Sequence, residues 1–221
     1  CRAPTGWRGR RPRTRPGRCI ETGIEARKKL REFCRHYEQV GRDAQEKWFL
    51  DPFVPDVVSI RGSRFTKDAT NVAWESLPTD VIKREQQCWV FDPKAKWHGY
   101  RGYSDGYAMV DPNKLALLTP GIDRKTGDYL DFGVPATVLA NYLREQRVVP
   151  EKCDLNSILF LMTPAEDESK INSLIAKLIK FKNLLDMDAP LGEVLPTLHA
   201  QNRARYAGYT VRRICNEMHD F

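Results

Sequence analysis

The spacing of apolar residues near the start of the chain predicts one long amphipathic helix. Between Ile20 and Trp48, apolar side chains recur at three- and four-residue steps, and charged residues fill the opposite face. The pairs Asp51-Pro52 and Val54-Pro55 then exclude a continuing helix, because proline disfavours the helical conformation at the residue before it. We therefore predict a single helix from residue 20 to residue 48.

Short apolar runs predict three strands in the middle of the chain. They span residues 56–60, 87–91 and 114–118. Between the second and third runs, residues 97–107 are rich in glycine and aromatic residues, which is typical of a loop. Such rings can stack on nucleotide bases, but a loop packed against the body of the protein is the favoured interpretation.

The pattern then alternates between strand and helix. Pro135 suits the first turn of a helix that ends near Gln146, and residues 157–162 form the wholly apolar run of a buried strand. With the strand at 114–118, this alternation predicts an α/β layer, a small sheet with helices packed on it.

A further long helix is predicted to follow this layer. Thr163 is its expected N-cap, with Glu166 three residues later as the partner in a capping box, and its apolar stripe continues to about Met187. The last segment, residues 188–221, is predicted to form two further short helices.

The net charge of +7 is concentrated at one end of the chain. Residues 1–18 contain seven arginines and no acidic residue, so the other 203 residues balance 29 basic against 29 acidic groups. With only proline and glycine as spacers, this segment is predicted to be disordered. An arginine-rich arm can bind phosphates, but out-of-frame translation of GC-rich DNA gives the same composition. We favour a non-native tail and do not expect nucleic-acid binding.

Other composition features favour a cytoplasmic protein without a metal centre. No apolar run approaches the length of a membrane span, and no secretory signal is recognisable. The six cysteines and four histidines are scattered without metal-ligand spacing, so buried free thiols in a reducing compartment are expected. The chain starts at Cys1, which predicts that the start of the natural reading frame is missing. Motifs of self-contained enzymes, such as a P-loop or HExxH, do not occur in the sequence.

Several segments resemble the bacterial ornithine/lysine/arginine decarboxylases. They include Leu118-Thr-Pro-Gly-Ile-Asp123, Trp97-His-Gly99, and residues 77–89, 131–145, 149–167 and 205–210. The resemblance covers residues 19–221 and is closest to the ornithine branch, since the other branches differ around Glu151-Lys-Cys-Asp-Leu-Asn156.

This resemblance implies a type I pyridoxal-phosphate fold in a homodimeric or larger enzyme. On that map, residues 19–48 link a large cofactor domain to a small α/β domain at 49–187, and residues 188–221 begin a C-terminal domain. The implied reaction converts L-ornithine to putrescine and CO2. Lysine or arginine as substrate, a non-catalytic interaction module, and a nucleic-acid binder that uses the arginine tail are the alternatives.

The same resemblance divides the site residues into those present and those absent. In the family, the lysine that holds the cofactor follows a histidine, and no His-Lys pair occurs in this chain. We therefore expect a fragment that has no catalytic, cofactor-binding or metal-binding residue and is inactive alone. One element carries over: the glutamate between Val-Pro and Lys that holds the distal ammonium of the substrate, here Glu151. The alternative for Glu151 is a solvated loop residue beside Lys152.

Overall fold

The computed structural model describes residues 17–100, 102 and 108–221, and within them it contains nine α-helices and six β-strands. The helices are α1 Arg18–Val40, α2 Ala44–Lys47, α3 Thr79–Arg84, α4 Ala136–Glu145, α5 Glu168–Asp186, α6 Leu191–Val194, α7 Pro196–Gln201, α8 Arg203–Tyr206 and α9 Val211–His219. The strands are β1 Asp51–Pro52, β2 Val57–Ile60, β3 Ala69–Ala73, β4 Lys114–Leu118, β5 Lys152–Cys153 and β6 Ser157–Leu161. The arginine-rich segment lies outside the described residues except for Gly17 and Arg18, the latter being the first residue of α1.

The main sheet is antiparallel, with the strand order β1-β4-β6-β5. In the central pair, Leu115 lies opposite Phe160 and Leu117 opposite Ile158, and all four side chains are buried on one face. Helices α1, α4 and α5 contribute to the same core. The predicted α/β class, the strands at 114–118 and 157–162, and the helix after Pro135 are confirmed.

The prediction of one helix from residue 20 to residue 48 is wrong. Helix α1 ends at Val40, and Gly41 is extended. A second helix begins at Ala44 because the Asp43 carboxylate accepts hydrogen bonds from the backbone N–H groups of Gln45 and Glu46. An N-cap of this kind starts a new helix and allows the chain to turn in between.

Helix α1 is held against the main sheet by a buried arginine. The Arg27 guanidinium is fully buried and donates to the carbonyl oxygens of Gly23 at 3.0 Å, Pro112 at 3.1 Å and Lys114 at 2.6 Å. Burial lowers the Arg27 pKa to about 10. The helix therefore fixes the position of the first residue of β4.

A second, smaller core surrounds the β2–β3 hairpin. It contains Trp74 and Trp89, whose indole N–H groups donate to backbone carbonyls. The predicted strand at 87–91 is wrong, since Gln86–Cys88 form a 3-10 turn and only an isolated bridge joins Val90 to Met109. Successive burial of Cys88 and Trp89 explains the error, because apolar residues in a buried turn resemble those of a buried strand.

The loop that begins at Trp97 packs against this second core. Trp97 and His98 are buried, and the Trp97 ring lies 5.1 Å from that of Phe53. The His98 ring nitrogens contact the Asp92 carbonyl and the Tyr100 backbone N–H. The packed-loop interpretation holds for residues 97–100, while residues 101 and 103–107 lie outside the described part of the chain.

Two details of the C-terminal third differ from the sequence prediction. Asp167, and not Thr163, caps α5, because its carboxylate accepts from the Lys170 backbone N–H at 2.9 Å. Residues 188–221 form four short helices where two were predicted, and Leu191 and Val211 are buried in the core of the main sheet. Whether this segment begins a separate domain stays a prediction.

Candidate functional site

Glu151 lies where the chain enters the edge strand of the main sheet. Helix α4 is closed by Arg147 in the left-handed conformation (φ 60°) and by a hydrogen bond from the Val148 N–H to the Leu143 carbonyl. After the buried Pro150, the Glu151 N–H donates to the Leu159 carbonyl at 2.8 Å. The backbone of Glu151 is therefore held against β6, although its side chain projects from a connecting segment.

The Glu151 carboxylate faces the ammonium of Lys114. Lys114 Nζ lies 3.6 Å from Glu151 Oε1, and the two side chains are 41% and 31% exposed. Among the described residues, no hydrogen bond or ion pair is recorded for Oε2. The arrangement is a carboxylate with one oxygen near a cation and the other available to a hydrogen-bond donor.

Exposed apolar side chains lie near this pair, one in the chain just before Glu151 and one across the sheet from Lys114. Val149 is 77% exposed, and Leu161, the cross-strand partner of Lys114, is 48% exposed. Single exposed apolar side chains are common on protein surfaces, so the paired charge is the feature that marks this place as a candidate site. A carboxylate here can accept a charge-assisted hydrogen bond from a ligand ammonium.

Lys114 is the residue of this site that sequence reasoning missed. No motif marks it, and its distance from Glu151 depends on the pairing of β6 with β4 on one side and with β5 on the other. The only sequence signal is its place as the first residue of a predicted strand. The order of the strands in the sheet could not be predicted from that signal.

Three cavities lie elsewhere in the described part of the chain. A cleft of about 970 Å³ is lined by the β2–β3 hairpin and the segment 84–97, and it includes Arg64, Arg84 and Glu85. Two smaller cavities, of about 340 and 570 Å³, share Trp48 and Asp51. None of these three cavities includes Glu151. A site of this open kind forms no enclosed volume, so cavity size does not mark it.

A cluster of charges near the two smaller cavities joins three segments of the chain. Arg31 of α1 and Arg124 contact the Asp51 carboxylate at 3.3 and 2.9 Å, and Arg31 also contacts Asp56 at 3.2 Å. Burial raises the pKa of Asp51 despite the two guanidinium groups. Burial acts in the same direction on Asp56, but Arg124, Arg31 and Lys125 together hold its pKa below the usual value. This mutually paired cluster is structural.

The cysteines of the described residues are not gathered into a cluster. Within the described residues, the five cysteines are free thiols, and no group of three or more His, Cys, Asp or Glu side chains is placed to hold a metal ion. Cys88 and Cys215 are buried as expected, while Cys19, Cys34 and Cys153 are half-buried. The ring of His219 contacts the Leu130 carbonyl at 2.6 Å through Nε2.

A protein-family model described as Orn/Lys/Arg decarboxylase, major domain, matches residues 6–170. The chain belongs to the Orn/Lys/Arg decarboxylase family. This confirms the resemblance carried by the segments of residues 77–167, and the similarity is greater to ornithine decarboxylases than to the lysine and arginine enzymes.

Among curated relatives, this family member is 47% identical over 202 residues to the inducible ornithine decarboxylase of Escherichia coli, which covers 91% of the chain and 24% of that relative. It is 48% identical over 200 residues to the inducible ornithine decarboxylase of Lactobacillus sp. strain 30a, covering 90% and 24%. Lysine and arginine decarboxylases among the relatives are 28–34% identical. The chain thus spans about a quarter of the length of these relatives.

Solved structures agree with this family assignment. The Escherichia coli constitutive lysine decarboxylase superposes with a TM-score of 0.69 at 26% identity, covering 92% of the chain and 24% of that protein. The Francisella novicida lysine decarboxylase gives 0.70 at 26% identity, covering 92% and 23%. The mixed α/β fold is therefore that of a part of a decarboxylase. No helix in the described ranges is long and apolar enough to cross a membrane.

Proposed function

We propose that this chain is part of a pyridoxal-phosphate-dependent decarboxylase that converts L-ornithine to putrescine and CO2. The difference in identity carries this proposal: four ornithine decarboxylases are 43–48% identical to the chain, against 28–34% for lysine and arginine decarboxylases. The ornithine substrate is thus favoured over the two alternative amino acids.

The proposed role of Glu151 is to accept a hydrogen bond from the distal ammonium of ornithine. Its backbone is anchored to Leu159, and its side chain is about one third exposed. Because this backbone is held in place, the carboxylate can bind a ligand ammonium at one fixed distance from the main sheet. A charge-assisted hydrogen bond is roughly twice as strong as a neutral one.

The residues of this chain do not by themselves fit pyridoxal phosphate. None of the four histidines is followed by a lysine, so the family motif for cofactor attachment has no counterpart here. Lys114, the lysine in contact with Glu151, is engaged by that carboxylate. We propose that the cofactor site belongs to the part of the enzyme that this chain does not span, and that the chain alone does not turn over substrate.

Domain roles and assembly are proposed from the same family assignment. Residues 19–48 link the large domain to the small one, residues 49–187 form the small domain, and residues 188–221 begin the C-terminal domain. We propose a cytoplasmic homodimer or larger oligomer. The exposed apolar residues at the sheet edge support contacts with further parts of such an assembly.

The function is tested in a chimeric enzyme. In the Escherichia coli inducible ornithine decarboxylase, the 202-residue matching segment is replaced by that of this chain, and CO2 release is measured with ornithine, lysine and arginine. The proposal expects the highest kcat/KM with ornithine. A preference for lysine or arginine, or an inactive chimera that still folds, assembles and binds pyridoxal phosphate, would overturn it.

A further inference from the structure

Lys114 Nζ lies 3.6 Å from Oε1 of Glu151, close to where a ligand cation would meet the carboxylate. We infer that Lys114 is a positioning residue that makes Glu151 selective for a primary ammonium over a guanidinium. This inference rests on the proposed role of Glu151 as the acceptor for the distal group of the substrate.

Lys114 occupies a fixed place beside the carboxylate. It pairs with Leu161 across the sheet, and its carbonyl accepts the 2.6 Å hydrogen bond from the buried Arg27. Its side chain is the flexible part, and its Nζ lies nearest to Oε1 of Glu151. The cation is therefore attached to a backbone that α1 and β6 hold in position.

A carboxylate with one oxygen engaged discriminates between the two kinds of cation. A guanidinium binds carboxylates best through two parallel N–H···O bonds, which require both oxygens. An ammonium is a compact point charge with three donors, and it needs only one acceptor oxygen. With Lys114 at Oε1, Glu151 offers Oε2 alone, which suits the ammonium.

The exposure of the Lys114–Glu151 ion pair determines how far the ratio of affinities for the two cations should change when Lys114 is replaced. Ion pairs with this degree of exposure contribute little to stability, so neutral variants of Lys114 should leave the fold intact. Removing the Lys114 cation from Oε1 should shift the ratio of dissociation constants roughly fivefold in favour of butylguanidinium over butylammonium, because a contact of that modest strength corresponds to such a factor. Loss of the Lys114 charge also reduces repulsion, but it does so for both cations alike, so the ratio of affinities isolates the geometric part.

The test uses the 221-residue chain and two monofunctional probes, n-butylammonium and n-butylguanidinium. Their dissociation constants are measured by NMR from the backbone amide shifts of Glu151 and Lys152. The wild-type chain is expected to bind butylammonium more tightly. In Lys114→Met and in Lys114→Gln, the ratio should move roughly fivefold towards butylguanidinium. Lys29→Met serves as the matched control, because it removes a cation from a different Lys–Glu pair, Lys29–Glu168 at 3.1 Å, and should leave the ratio unchanged.

The outcomes separate the two claims. If Glu151→Gln abolishes butylammonium binding but both Lys114 variants change the two ligands by the same factor, the Lys114 inference is overturned and the role of Glu151 stands. If butylammonium causes no shift at Glu151, or binds Glu151→Gln as well as the wild type, the Lys114 inference is overturned, because the carboxylate of this chain then selects no cation, and the role of Glu151 in the enzyme is decided separately by kcat/KM of Glu151→Gln in the chimeric decarboxylase.

Discussion

The fully buried guanidinium of Arg27 donates a 2.6 Å hydrogen bond to the carbonyl oxygen of Lys114 and so ties the first helix to the first residue of the central strand. The same guanidinium also reaches the Pro112 carbonyl at 3.1 Å. The buried Arg27 guanidinium therefore holds the backbone of Lys114, and the side chain of Lys114 in turn contacts Glu151.

Replacing Arg27 by methionine should destabilise the chain by about 2 kcal/mol, because it leaves the part-buried Pro112 and Lys114 carbonyls and the Gly23 carbonyl without the donor that the buried guanidinium supplies. Urea unfolding followed by circular dichroism measures the change. Arg42→Met is the control, because the Arg42 side chain is 86% exposed and pairs with the nearby Glu46. Equal unfolding midpoints for the two variants would mean that the buried contacts contribute nothing.

Alkaline pH should weaken the fold through three thiols, those of the buried Cys88 and Cys215 and of the half-buried Cys34. Burial raises the pKa of Cys34, Cys88 and Cys215 to about 12. The unfolded thiols ionise near pH 9. Below that pH both states are protonated and full stability is present; between pH 9 and 12 only the unfolded state loses its protons, so stability falls.

The free energy of unfolding, measured with urea under reducing conditions from pH 8 to 11, should therefore decline as the pH rises. A variant with alanine at Cys34, Cys88 and Cys215 should show a shallower decline, although its stability at pH 8 is lower because of the lost volume. Parallel curves for the two proteins would exclude the thiols as the cause.

Individual strands and helices of the main sheet layer could be predicted from the sequence, because their apolar patterns are local, whereas the order of the strands could not. Strands β4 and β6 are short apolar runs, and Pro135 marks the start of α4. The β2–β3 hairpin was only half predicted, since Thr70 and Asn71 in β3 are exposed and polar and carry no apolar alternation. Local patterns fail where burial depends on segments that are distant in sequence.

The candidate site was predictable only in part, for the same physical reason. Glu151 was nominated by its resemblance to a family motif, and by residue pattern alone it is a loop glutamate. Lys114 lies 37 positions earlier in the chain, and only the folded sheet brings its Nζ within 3.6 Å of the carboxylate. A pair of this kind is a property of tertiary structure and leaves no signal in spacing.

The chain alone should not form a specific adduct with pyridoxal phosphate. It has no His-Lys motif, so borohydride treatment of the mixture should give only scattered, substoichiometric labelling of surface lysines. Mass spectrometry of tryptic peptides measures the distribution. One labelled lysine per chain at a single position would contradict the proposal that the cofactor site lies elsewhere.

The exposed apolar side chains near Glu151 should promote binding of a hydrophobic dye and self-association of the isolated chain. Val149 and Leu161 are 77% and 48% exposed, so the double change Val149→Ser and Leu161→Ser should reduce binding of a hydrophobic dye and self-association. The matched control is Met187→Ser, which removes a side chain that is 71% exposed outside the sheet. If the double variant and the control have equal effects, this part of the sheet contributes no more to dye binding and self-association than the rest of the surface.

The central claim, that Glu151 holds the distal ammonium of ornithine, is tested most directly by Glu151→Gln in the chimeric decarboxylase. The amide keeps the size of the side chain and removes its charge. A hydrogen bond to a charged group is worth about 1.5–3 kcal/mol, so kcat/KM for ornithine should fall roughly 10- to 150-fold. Activity with an analogue of the same length without the distal amine should change little, and cofactor absorbance should not change. Equal losses with ornithine and with the amine-free analogue would contradict the claim, because Glu151 would then support the fold and not bind the substrate ammonium.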